Sequence, residues 1–192
     1  MKGKIAIGVI LMLPLLFVNV VYGQSTNDNV YTAPSGEDFA VAQPQKAQEF
    51  NSFEEFWPMV AGKTRNDSFY RIKRLKEEAR GWMIFGKPQK ASYKVFLTVK
   101  RTLEAEKLES EGKADLAIES MKDAQISIRS AQNLIETARR TQPDANLDPQ
   151  AHGRLVNLRV FTEWLKGQSD DEDFKLITSE INERIGEFLE LL

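Results

Sequence analysis

Cysteine is absent from this sequence, and histidine occurs once, at position 152. Without cysteine the chain has no disulfide, no thiolate zinc site, no thiol nucleophile and no redox pair. His152 has no second histidine with which to share a metal ion, and hydrolytic and metal sites need several converging groups. We therefore predict no catalytic residue, no metal and no cofactor, and we expect that the chain is not an enzyme.

Long hydrophobic runs are also absent, with one exception at the N-terminus. Lys2 and Lys4 precede an uncharged, mostly apolar run over residues 5–22, and the small residue Gly23 follows. This order is the pattern of a secretory signal peptide, so we predict cleavage after Gly23. The alternative is an uncleaved anchor, because about 18 apolar residues just cross a bilayer. In both cases the positive-inside bias predicts export of the remainder, to the periplasm or the cell exterior.

Charge is distributed unevenly along the chain. Residues 63–101 have a net charge of +9, whereas residues 24–62 and 102–192 have net charges of −5 and −8. Beyond a membrane, such a basic block is suited to anionic lipid headgroups or to phosphate-bearing wall polymers. The alternative is intramolecular pairing with the acidic helices that follow. The candidate residues for binding an anionic surface are Arg71, Lys73, Arg74, Lys76 and Arg80. Nucleic acid is not an expected partner in this compartment.

Apolar periodicity is missing from residues 24–51, which are rich in Gln, Asn, Ser, Asp and Pro. A segment that buries too little apolar surface to offset its chain entropy does not fold, so we predict a disordered tether. Residues 53–60 then bring several large apolar side chains together. We expect a short helix or turn that docks on the core, and the alternative is an exposed partner-binding motif.

A helical pattern begins near residue 66. Phe69, Ile72, Leu75, Ala79 and Met83 recur every three or four residues, with Lys and Arg on the opposite face. This spacing predicts an amphipathic helix of about four turns that ends between residues 81 and 86.

The next two predicted helices cover residues 88–111 and 114–138. Gly112 supplies the turn between them, so they are expected to lie antiparallel. The later helix has a seven-residue repeat that places four alanines at one seam position, which lets a neighbouring helix approach closely as in a coiled coil. These alanines are Ala117, Ala124, Ala131 and Ala138.

Two further helices are predicted after a proline-bracketed turn at residues 143–149. The first carries Leu155, Leu158, Phe161 and Leu165, and the second starts at the acidic residues 170–173, which oppose its positive end. The last helix either closes the bundle or pairs with a second chain as a homo-oligomer. We predict an all-α protein, an antiparallel helical hairpin or bundle of four to five helices. Its predicted parts are a signal peptide (1–23), a disordered linker (24–51), a helical hairpin domain (52–142) and a C-terminal helical pair (143–192).

A set of short motifs runs from the first predicted long helix into the third. The motif residues are Asp67-Ser68-Phe69-Tyr70, Ile72-Lys73-Arg74-Leu75, Glu77, Lys87-Pro88-Gln89-Lys90-Ala91, Arg101, Leu103, Glu104-Ala105-Glu106, Leu108, Gly112-Lys113 and Ala117. With these motifs, residues 66–121 resemble a family of exported bacterial helical domains known only as a domain of unknown function. The resemblance implies an extracytoplasmic helical domain, with no established activity, cofactor or catalytic residue.

Three functions are consistent with these patterns. The first is a non-catalytic module that binds an envelope polymer, an anionic lipid surface or a partner protein, through the basic helix or a seam. The second is a periplasmic carrier or holdase, whose apolar seams would open around an apolar ligand or client. The third is an enzyme with paired carboxylates, such as Glu104 with a partner across the bundle. The absence of a catalytic motif favours the first.

Overall fold

The computed structural model describes residues 51–56 and 58–192. These residues form six α-helices and no strand, which confirms the predicted all-α class. The predicted signal peptide and nearly all of the predicted linker lie outside the described residues. In the part of the chain that is described, no helix combines the length and the apolar character that crossing a membrane requires. The helices are α1 (Ser52–Phe56), α2 (Tyr70–Met83), α3 (Lys87–Ser110), α4 (Ala114–Arg139), α5 (Pro149–Gln168) and α6 (Glu172–Leu191).

Helices α3 and α4 form the predicted antiparallel hairpin, with ends within one residue of those expected from the sequence. The turn between them depends on Gly112, whose φ of 71° lies in the left-handed region. There the Gly112 amide donates to the Glu109 carbonyl at 2.9 Å and the Lys113 amide donates to the Leu108 carbonyl at 2.9 Å. This pair of bonds is a Schellman motif, which ends α3 and reverses the chain.

The seam of α4 is buried as predicted. Three of its alanines, Ala117, Ala124 and Ala131, have no exposed surface, and Ala138 is 3% exposed. Isoleucines at the other seam position, Ile128 and Ile135, are equally buried. Because only methyl groups project at the alanine positions, the backbone of a neighbouring helix can approach closely.

Helices α5 and α6 complete one hydrophobic core with the hairpin. Each begins at an aspartate cap: Asp148 accepts the Ala151 amide at 2.8 Å, and Asp171 accepts the Phe174 amide at 2.9 Å. The apolar residues of α6 that lie in this core are Phe174, Ile177, Ile181, Ile185 and Phe188. Of the two alternatives predicted for α6, the apolar stripe therefore closes the bundle. The predicted boundary at residues 142 and 143 falls in the loop between α4 and α5.

The short helix α1 docks on the core as expected. Phe56 is 2% exposed, and its ring meets the Phe161 ring edge-on with 5.4 Å between centroids. Met59, just beyond the helix, is also buried. Phe53 points outward and is 54% exposed.

Helix α2 differs from the other long helices, because Tyr70 is its one buried residue. The apolar stripe expected from the sequence is present, but it faces solvent. Ile72, Leu75 and Met83 are 51%, 66% and 68% exposed. The side of α2 that faces the bundle is polar.

The alanine seam predicts the outcome of a core substitution. Ala124→Leu adds three carbon atoms where there is no free space, so we expect it to lower the free energy of unfolding by about 1–3 kcal/mol. The matched control is Ala79→Leu, on the exposed side of α2, which should change it by less than about 0.5 kcal/mol. Urea unfolding of both variants measures this, and equal effects would show that the seam is not tightly packed.

Candidate binding surface on helix α2

The inner face of α2 carries Tyr70, Lys73 and Glu77, which share one side of the helix because they are three, four and seven positions apart. This face lies over the middle of α3, where Arg101 and Glu104 are 1% and 0% exposed. Charged side chains buried to this degree are rare unless they are paired. Arg101 and Glu104 pair with each other and with partners from α2.

Four ion pairs form one polar layer here, three between α2 and α3 and one within α3. Arg101 Nη1 lies 2.7 Å from Glu104 Oε1, and Lys100 Nζ lies 3.1 Å from Glu77 Oε1. Arg101 also pairs with Glu77, and Lys73 pairs with Glu104. We call these five residues the ion-pair layer. Between α2 and α3, this layer replaces the hydrophobic contacts that join the other long helices.

Neutral groups extend this layer along α2. Lys73 Nζ donates to the carbonyl oxygens of Ala61 and Lys63, at 3.0 and 2.6 Å, and so fixes the segment that precedes the helix. The Tyr93 hydroxyl of α3 donates to the Glu77 carbonyl at 2.9 Å. Near the end of α2, a Cβ placed on Gly81 would lie 3.4 Å from the Tyr93 ring, so this part of the helix is in contact with α3.

The charges of the ion-pair layer do not balance, because three cations face two carboxylates. Burial lowers the pKa of Lys73 to about 7, helped by the neighbouring cations Lys100 and Arg101. Burial alone would raise the pKa of Glu77, but Arg101 and Lys100 outweigh it and lower that pKa below its ordinary value. The Glu77 carboxylate therefore stays charged near neutral pH, whereas the Lys73 ammonium group loses its proton more easily than an ordinary lysine does.

A second contact ties the polar side of α2 to α4. Asp123 of α4 lies 3.2 Å from Arg74 Nη1 and 2.5 Å from Nη2 of Arg65, which precedes α2. Arg74 is thus held by an intramolecular pair.

The five cations predicted to bind an anionic surface fall into two groups. Lys73 and Arg74 belong to intramolecular pairs, as the alternative reading of the basic block expects. Arg71, Lys76 and Arg80 lie on the exposed side of α2. The Arg80 guanidinium lies 5.7 Å from the centre of the Tyr93 ring, where a cation–π contact holds it.

The exposed side of α2 and its two flanks carry a nearly continuous apolar surface. Trp82 is 82% exposed, and Phe85, just beyond the helix, is 85% exposed. We call the set the outer apolar stripe. Its members are Phe69, Ile72, Leu75, Trp82, Met83 and Phe85. Sequence reasoning missed Trp82 and Phe85 as members of this surface. The sequence does contain a signal, because Tyr70, Lys73 and Glu77 also recur every three or four residues on this helix. This polar period marks a second candidate for the buried side of α2.

Several clefts open on the described surface, and some of them border α2. One of about 440 Å³ opens between α2, α3 and α4, and Glu77, Trp82 and Tyr93 are among its lining residues. Another of about 650 Å³ is lined by Glu106, Glu109 and Trp164. Burial raises the pKa of Glu106, whose carboxylate accepts a hydrogen bond from Ser52 at 2.9 Å. Among the described residues, no group of His, Asp and Glu side chains is arranged to hold a metal ion.

The fold and this surface define a helical domain that is built around the α3–α4 hairpin. Helix α2 lies at the outside of this bundle and is attached to it by buried ion pairs. The chain belongs to the family described as a domain of unknown function (DUF5667), whose model matches residues 62–187. This match confirms the resemblance predicted over residues 66–121 and extends it through α5 and most of α6. No curated protein and no solved structure matches the chain significantly.

Removal of a carboxylate tests the ion-pair layer. Glu104→Gln leaves Lys73 and Arg101 without their shared partner, so we expect a loss of about 3 kcal/mol in the free energy of unfolding. The control is Glu119→Gln, which removes an exposed pair with Lys122 and should cost less than about 0.5 kcal/mol. Urea unfolding compares the two. A cost for Glu104→Gln no larger than the control would contradict the structural role of the layer.

The lowered pKa of Lys73 predicts a pH dependence of stability. The folded value of about 7 lies below the ordinary 10.5, so the unfolded chain binds more protons between these pH values. The free energy of unfolding should therefore rise with pH from about 7 upward, by at most about 1.4 kcal/mol per pH unit.

The variant Lys73→Met should lose this rise, whereas Lys76→Met, at an exposed position on α2, should keep it. Urea unfolding at pH 6, 7, 8 and 9 measures the slope for each protein. If wild type and Lys73→Met have the same slope, Lys73 does not titrate in this range.

Proposed function

We propose that the chain is a non-catalytic helical module, exported across a membrane, that binds an anionic component of the cell envelope through the outer face of α2. The observation that carries this proposal is the position of Arg71, Lys76 and Arg80 on the exposed side of the helix. They lie within residues 63–101, whose net charge is +9. A cluster of cations concentrates anionic surfaces and polymers beside it.

The intramolecular ion pairs reduce the number of predicted cations that are available for direct binding. Lys73 and Arg74 serve the contacts of α2 with α3 and α4, so they are expected to contribute to binding indirectly, by fixing the helix. Glu78 is the one acidic side chain among the exposed residues of α2. The cations on the exposed side thus outnumber the acids, and their charge is available to a partner.

The N-terminal pattern supports the proposed location. Two lysines, an apolar run and Gly23 have the order of a bacterial signal peptide, and a chain without cysteine is compatible with an oxidising compartment. Beyond a bacterial cytoplasmic membrane, the anionic candidates are lipid headgroups and phosphate-bearing polymers.

The proposal of a non-catalytic role rests on how the carboxylates are used. Glu104, the sequence-based candidate for an enzyme, is fully buried and shared by Lys73 and Arg101. Its pair with Lys73 joins α2 to α3 and its pair with Arg101 lies within α3. This use suits a structural role better than proton transfer to a substrate.

The alternative function is an apolar-ligand carrier or holdase, and the outer apolar stripe gives it some support. The seams of α3 to α6 do not, because their apolar residues are packed in one core. A carrier would bind a hydrophobic dye in the native state, and variants of the stripe would abolish that binding. A tightly packed core gives no such signal.

Salt-dependent cosedimentation of residues 24–192 tests the proposal, with anionic vesicles, neutral vesicles and cell-wall material. The variant Arg71→Gln/Lys76→Gln/Arg80→Gln should bind anionic material about 100-fold more weakly, since each basic residue near an anionic membrane contributes about 1 kcal/mol. Binding should also fall as salt is added.

The control variant removes three exposed cations from other elements, Lys107→Gln/Arg140→Gln/Arg159→Gln, and so changes the net charge equally. It should retain most of the binding. Equal losses in both variants would show that net charge, and not the α2 surface, determines binding. No binding to any anionic material would refute the proposal.

A further inference from the structure

We infer that the outer apolar stripe of α2 docks on an anionic lipid bilayer, with the helix lying in the plane of the interface between headgroups and acyl chains. This inference rests on the proposed function and names the partner of the same surface. It differs from charge attraction alone, because it requires apolar side chains of α2 to enter the lipid.

The exposed side of α2 has the residue pattern of an interfacial helix. Ile72, Leu75, Trp82 and Met83 fall within one apolar sector at 100° per residue, with Ala79 at its centre. Each of the four larger residues is more than half exposed. Contiguous apolar surfaces of this kind on soluble proteins mark interaction sites.

The stripe cannot be hidden by turning the helix over. Rotation about the helix axis would break the pairs of Lys73 with Glu104 and of Arg101 with Glu77. It would deprive the buried Arg101 and Glu104 of their partners on α2 and leave only the pair that they form with each other within α3. Breaking buried pairs in this way is strongly unfavourable. The ion-pair layer therefore fixes the stripe in its outward position, and a partner must come from outside the bundle.

Basic residues border the stripe on both sides. Arg71 stands at one edge, and Lys76 and Arg80 stand at the other. Long side chains of this type keep their charge at a headgroup while their methylene groups lie along apolar surface. A helix with an apolar centre, basic edges and aromatic residues matches the chemistry of an anionic membrane interface.

Two other partners fit less well. A wall polymer of sugars and phosphates would pair with the cations, but it offers no apolar environment to Trp82 and Phe85. A second copy of the chain, docked through the same stripe, would bring Arg71, Lys76 and Arg80 close to their own copies. Like charges facing each other across an interface oppose association.

Fluorescence from Trp82 tests the inference at the site itself. In the full chain, Trp57→Phe and Trp164→Phe leave Trp82 as the sole tryptophan. Because Trp82 lies on α2, its emission reports the environment of this helix and not that of residues 1–23. We expect a blue shift and strong quenching with vesicles of equal parts phosphatidylglycerol and phosphatidylcholine brominated on their acyl chains. With brominated phosphatidylcholine alone we expect little change.

In this background, Leu75→Ser/Met83→Ser should weaken partitioning into the anionic vesicles at least about tenfold, because two apolar side chains no longer leave water. The control is Val160→Ser/Leu176→Ser, which alters residues that are 57% and 61% exposed on α5 and α6. It should stay within about twofold of the parent, since neither residue lies on α2.

The outcomes separate this inference from the proposed function. Salt-sensitive binding to anionic vesicles with unchanged Trp82 emission would overturn insertion and leave the proposed function standing. No binding to anionic vesicles would overturn the inference, and the proposed function would then stand only if the chain binds cell-wall material. Equal quenching in neutral vesicles would overturn the requirement for anionic lipid. Self-association that Leu75→Ser/Met83→Ser abolishes, without insertion of Trp82, would assign the stripe to a second copy and overturn the inference.

Discussion

The buried ion pairs between α2 and α3 determine which side of α2 faces the outside. In the rest of the described bundle, apolar side chains meet apolar side chains, and the hydrophobic effect holds the helices together without regard to direction. Arg101 and Glu104 instead require charged partners at fixed positions, and Lys73 and Glu77 are those partners. A layer of this kind contributes less stability than an apolar contact of equal area, but it fixes the orientation of the helix.

This orientation explains why one helix carries both a structural and a proposed binding role. Because the polar side of α2 faces the bundle, its apolar side is left exposed. Burial, together with the neighbouring cations Lys100 and Arg101, lowers the pKa of Lys73 to about 7, so the stability of the α2 contact should depend on pH. The charges of the ion-pair layer therefore affect both how stably α2 is attached and which of its sides is exposed.

Most of the bundle follows from sequence patterns, and α2 shows where such patterns fail. The alanine repeat of α4 and the turn at Gly112 predict the hairpin because apolar period and glycine conformation act locally. For α2, the spacing of Ile72, Leu75 and Met83 predicts a helix correctly, but it does not say which side is buried. That depends on Arg101 and Glu104, which lie 24 and 31 residues beyond their partners Glu77 and Lys73 and whose burial becomes visible only in the folded chain. Similarly, the sequence groups Lys73 and Arg74 with the exposed cations, because charge type alone does not reveal pairing.

The orientation of α2 is the central claim, and thiol labelling tests it directly because the chain contains no cysteine. Single cysteines at Ile72, Leu75, Ala79 and Met83 should react with a water-soluble maleimide nearly as fast as an unfolded control. Cysteines at Arg74 and Gly81, on the inner side, should react much more slowly. The opposite phase, with slow reaction along the apolar positions and fast reaction at 74 and 81, would show that the stripe is buried and would contradict the account.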